Sequence, residues 1–82
     1  MNMCDYSAVV EDVLLNATDY IGNRPEVFGA DNKALETMRV NKKFRDYVAH
    51  EVDGCVDEYK DLSQEEAADV VWELYQAWAY SY

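Results

Sequence analysis

Apolar residues recur along the first third of the chain at Tyr6, Val9, Val10, Val13, Leu14, Ala17, Tyr20 and Ile21. Steps of three and four place them on one side of an α-helix, so the spacing predicts an amphipathic helix. Asp5 or Ser7 suits its start and Gly22 its end. Leu15 departs from the pattern and falls on the far side, among Glu11, Asp12 and Asp19. Gly22, Pro25 and Gly29 then punctuate a loop, with one short helical turn expected from Pro25. Val27 and Phe28 in that loop are expected to plug the core. Asn32 is placed to cap a short helix whose Leu35 and Met38 face inward.

Asn41 is read as a break and as the cap of a further helix. Its apolar positions run Phe44, Tyr47, Val48, Val52, Cys55, Val56 and Tyr59. Gly54 inside this run costs about 1 kcal/mol relative to Ala, so it marks either a close helix crossing or a true interruption. The clearest local signal is Leu62-Ser63-Gln64-Glu65-Glu66-Ala67. Ser63 and Glu66 have the spacing of a capping box, with Leu62 and Ala67 as the accompanying staple. The last helix is expected to run from Gln64 to about Tyr80. No segment alternates apolar and polar positions with β-branched residues, so strands are not expected. The chain reads as one all-α domain over residues 1–82, a small three- to four-helix bundle.

Around the last helix, Ala67, Val70, Val71, Leu74, Tyr75 and Trp78 gather on a core-facing side. Asp69, Trp72, Glu73 and Tyr80 fall on the other. Trp72 has two readings. It packs against the Val27–Phe28 segment or a neighbouring helix edge, or it stands exposed as a binding anchor of the kind Trp often provides. In the middle helix Asp46, His50, Asp53 and Asp57 form a second polar row, with carboxylates spaced comparably to phosphates along a nucleic-acid strand. The ordinary meaning of such a row is a solvated face. Three acidic faces carrying the occasional apolar anchor read instead as a recognition surface.

Charge sharpens this picture. The chain has 82 residues, half of them hydrophobic, and a net charge of −10. A domain of this size buries only about 60% of its unfolded surface. Residues 24–45 carry a net +3, from Arg24, Lys33, Arg39, Lys42, Lys43 and Arg45 against three acids, whereas residues 46–82 carry a net −9. Most of the surface should therefore repel nucleic acid and anionic lipid and attract basic partners. The basic stretch around Lys42, Lys43 and Arg45 is flanked by acids, and its Phe44 and Tyr47 already belong to the core stripe. Direct nucleic-acid binding is not expected.

Candidate chemistry is sparse. His50 is the single histidine, and no nucleophile shares its face, because Cys55 is expected to point into the core. No metal-ligand spacing, calcium loop or phosphate-cradling glycine loop occurs, so no cofactor is expected. Cys4 and Cys55 read as reduced thiols. No leader resembling a signal peptide precedes the first polar residues, and the expected location is cytoplasmic.

Together these features predict a non-enzymatic interaction protein. Small size, acidity and abundant Tyr and Trp are shared by inhibitors that viruses and mobile elements encode. Such proteins block nucleic-acid-binding enzymes of the host, including restriction and CRISPR nucleases and polymerases, in some cases by imitating DNA. The expected partner-binding residues are Glu11, Asp12, Leu15, Asp46, Asp53, Asp57, Asp69, Trp72, Glu73 and Tyr80. The alternative is a symmetric homodimeric assembly module, with Leu15, Trp72 and Tyr80 at the interface and the acids serving solubility.

Overall fold

The computed structural model describes residues 3–29 and 32–81, with side chains from Ser7 onward. Helices account for nearly all of them, and there is no strand among the described residues. Three long helices dominate: α1 (Met3–Gly22), α4 (Lys42–Gly54) and α6 (Gln64–Ser81). A nine-residue helix, α3 (Asn32–Val40), and two single turns, α2 (Pro25–Phe28) and α5 (Val56–Tyr59), connect them.

The boundaries follow local chemistry. Asn41 caps α4, its Oδ1 accepting the Phe44 backbone N–H at 3.0 Å. The capping box at the start of α6 is fully formed. The Ser63 N–H donates to Glu66 Oε1 at 2.9 Å, and the Glu66 N–H donates to Ser63 Oγ at 3.1 Å. Pro25 opens α2, and Gly29 closes it at φ 80, a conformation that favours glycine. Two expected starts are displaced. α1 already begins at Met3, so Asp5 and Ser7 lie inside it, and Asn32 is the first residue of α3 rather than the residue before it. The side chains of Cys4 and Tyr6, and all of Tyr82, lie outside the described residues.

Gly54 marks a true interruption. Helix α4 stops there, the Cys55 N–H turning back to Val52 O at 2.9 Å, and α5 restarts at Val56. A side chain at Gly54 would meet open space, so no close helix crossing explains the residue. The break changes the register of everything after it. Val56 and Tyr59 still pack on the core, but Cys55 is turned out to solvent, contrary to its expected place in the interior.

α1 is the central strut. Val13, Ala17 and their neighbours form its core-facing side, and α6 lies along it. α3 and α4 run back along another flank: Gly22 faces Leu35 and Arg39, while Arg45 reaches Glu11. Phe44 is fully buried, with its ring edge-on to Tyr75 at 5.9 Å and to Trp78 at 5.5 Å. Met38, Val48, Val52 and Val71 complete the densest part. Ala68 is buried beside Ala67, and Val70 is only half-buried, so α6 presents its small residues to α1. Thr18 is the buried polar residue, its hydroxyl donating to Leu14 O at 2.9 Å.

Phe44→Ala is expected to lower the unfolding free energy by roughly 3–5 kcal/mol, whereas Ser63→Ala and Asn41→Ala should each cost about 1 kcal/mol. Denaturant titrations followed by circular dichroism measure both. Equal losses for Phe44 and the caps would mean that the aromatic cluster is not the stabilising centre.

Candidate interaction surface

The expected acidic rows resolve into several local settings. Every described carboxylate, from Glu11 to Glu73, is exposed. Asp46 is engaged by Lys42 at 3.0 Å, one turn before it on α4. His50 and Asp53 continue its face, but the row ends there. The break at Cys55 places Asp57 on α5, where it lies 3.3 Å from Lys60. A row from Asp46 to Asp57 therefore does not exist as one continuous helix face. Asp57 and Lys60 instead border an open hollow with Ala8, Val9, Asp12 and Val56. Asp12 and Asp57, far apart in sequence, share one rim.

Glu11 and Leu15 also find unexpected company. Glu11 accepts from Arg45 Nη2, while Arg45 Nη1 donates to Arg39 O at 3.1 Å. The guanidinium is thus fixed between α1 and the end of α3. Leu15, 60% exposed, stands at the edge of a groove of about 220 Å³ whose other walls include Leu14, Met38, Arg39 and Arg45. Read along the chain, Leu15 is an anchor among acids. In the fold it borders two arginines from another part of the sequence.

On α6, Asp69 and Glu73 are exposed and make no ion pair among the described residues. Tyr80 is 92% exposed. Trp72 is not a free ring. It is half-buried, edge-on to Phe28 at 5.4 Å and tilted against Tyr75 at 6.0 Å. Phe28 in turn meets Tyr20 at 6.3 Å. The turn α2 therefore clips a ring over one flank of Trp72, as the packing alternative anticipated. Phe28 performs this plugging alone, since Val27 is exposed.

The α4–α5 bend concentrates negative charge. Burial raises the Tyr59 hydroxyl above its ordinary pKa, and Glu51, Cys55 and Glu58 push it the same way. No group of three or more His, Cys, Asp or Glu among the described residues could hold a metal ion. No helix is long and apolar enough to cross a membrane among the described residues. The sequence signals missed Arg39 and Arg45 as surface-shaping residues, and only the run of basic residues in 24–45 hinted at them.

Trp72→Ala is expected to cost about 2 kcal/mol of stability, because it removes ring contacts from a half-buried site. Phe28→Ala, in a Trp78→Phe background, should make Trp72 more accessible to acrylamide; unchanged quenching would show that α2 does not cover it. A second expectation concerns alkaline pH. The folded-state pKa of Tyr59 lies above its unfolded value near 10, so its contribution is intact below about pH 10 and lost as pH rises through the folded value. Tyr59→Phe should flatten that alkaline loss in urea titrations.

No protein-family model matches this sequence, and comparisons with curated proteins and with solved structures find no match.

Proposed function

We propose that this chain is a small acidic, non-enzymatic interaction protein that binds a basic surface on a nucleic-acid-binding protein. The proposed class is that of virus- or mobile-element-encoded inhibitors of restriction enzymes, CRISPR nucleases or polymerases, acting in the host cytoplasm. One observation carries the reading: Lys60 is the only Lys or Arg in residues 46–82, and all ten acids of that half lie at the surface. Carboxylates so placed sum to a negative field that accelerates encounter with a cationic cleft.

The contact is proposed to centre on the α4–α6 side, with Asp53, Asp69 and Glu73 as charges and the exposed part of Trp72 and Tyr80 as ring contacts. A phosphate-like register is confined to short stretches, because α4 is interrupted after Asp53. Blocking a nucleic-acid cleft by charge and shape does not require a continuous imitation of a strand. Asp12 and Asp57, drawn to one rim around Lys60, form a secondary part of the same acidic surface. Glu11 and Asp46, engaged by Arg45 and Lys42, contribute less.

The test is a panel of purified DNA nucleases and polymerases assayed for duplex binding with and without the chain. Inhibition that weakens with salt is expected for at least one member. The triple variant Asp53→Lys, Asp69→Lys, Glu73→Lys should slow association about tenfold or more and reduce its salt dependence. Inhibition indifferent to charge reversal, or a panel wholly unaffected, would overturn the proposal.

A further inference from the structure

The groove between α1, α3 and α4 brings two arginines of this acidic molecule beside the exposed Leu15. Arg45 is immobilised by Glu11 and Arg39 O, and Arg39 makes no ion pair among the described residues. Leu14, Leu15 and Met38 line the same groove, and Val40, next to Arg39, is 70% exposed. Its volume of about 220 Å³ is on the scale of one aromatic side chain. A guanidinium above an apolar wall suits a ring carried among carboxylates, through stacking and charge-assisted hydrogen bonds.

The chain carries such a surface itself. Asp69, Glu73, Gln76 and Tyr80 stand at i, i+4, i+7 and i+11 on α6 and are all exposed. They form one outward stripe roughly 16 Å long. Beside Tyr80 lies an open, mainly apolar shelf bordered by Tyr75, Gln76 and Ala79. Groove and stripe are complementary in charge and in apolar content. They also occupy separate faces. On α1 the groove residues Glu11, Leu14, Leu15 and Thr18 lie on roughly the opposite side from Val9, Val13 and Asn16, which line a hollow with Ala67 of α6.

We infer that a second copy of this chain seats the Asp69–Glu73–Tyr80 stripe of its α6 in the α1–α3–α4 groove. The contact is head to tail, because donor and acceptor surfaces differ. One copy of the pair then retains an open groove and the other an open stripe. Net repulsion between two strongly acidic chains opposes the contact, but it is screened beyond about 8 Å at physiological salt, whereas touching charges are screened much less. Self-association is therefore weak and concentration-dependent. It also competes with a basic partner for Asp69 and Glu73, so a partner would disperse it.

Analytical ultracentrifugation of mixtures tests the geometry. Wild-type chain should gain average mass with concentration. The groove variant Leu15→Ser, Arg39→Gln and the stripe variant Asp69→Asn, Glu73→Gln, Tyr80→Ala should each associate at least about tenfold more weakly. All substitutions are at exposed positions, and unchanged circular dichroism verifies the fold. Mixed at equal concentrations, the two variants should form a 1:1 dimer that grows no further, because the intact stripe of one fits the intact groove of the other. A monomeric wild type, a mixture that stays monomeric, or variants that still associate singly would each overturn the inference. The groove variant leaves the acidic half unchanged, so its activity in the nuclease and polymerase panel separates failure of this contact from failure of the inhibitor reading.

Discussion

The structure depends on one constraint: α4 and α6 must share the ring of Phe44. It is fully buried at the start of α4, and Tyr75 and Trp78 of α6 meet it edge-on. A chain of this size cannot bury enough aliphatic surface to be indifferent to one such cluster. The requirement fixes where α4 begins, and Asn41 supplies the cap at that point. It also fixes which side of α6 turns inward. With Tyr75 and Trp78 committed to Phe44, the small residues Ala67, Ala68 and Val71 are left to meet α1, and the acids of α6 have only the outside.

Charge placement follows from this geometry. An interior built from aromatic and small aliphatic groups has no partner for a carboxylate, and burial without one costs several kcal/mol. Every described acid is accordingly at the surface. The cations occupy chiefly the α3–α4 junction, where Arg45 ties α4 to both α1 and α3. The molecule therefore has a mixed, cross-linked α3–α4 junction and a nearly pure anionic C-terminal half. The proposed partner contact uses the second, and the proposed self-contact joins the two.

Local signals in the sequence were dependable wherever a few neighbouring residues settle the outcome. Asn41, the Ser63–Glu66 box, Pro25 and the 3.6-residue rhythm of α1 and α6 belong to this class. Gly54 signalled trouble in α4 without deciding its form. The consequences of the break needed the fold: extrapolating the helix past Gly54 placed Cys55 inside and Asp57 on the row of Asp46, and both positions are different. Long-range juxtapositions were legible only in part. The packing of Trp72 on Phe28 was one of two readings of α6, whereas the meeting of Leu15 with Arg39 and Arg45 depends on how α3 folds back, which no periodicity within α1 encodes.

The elbow at Cys55 has a mechanical consequence. α5 is a single turn with no fully buried residue, anchored through half-buried Val56 and Tyr59. It joins α4 and α6 by a bend instead of a rigid rod, so this corner can unfasten while the Phe44 cluster stays intact. Backbone amides between Gly54 and Leu62 should then exchange with deuterium far sooner than those of α1, at a free energy well below that of global unfolding. A strongly acidic part of the molecule is thus also one that adjusts its shape cheaply.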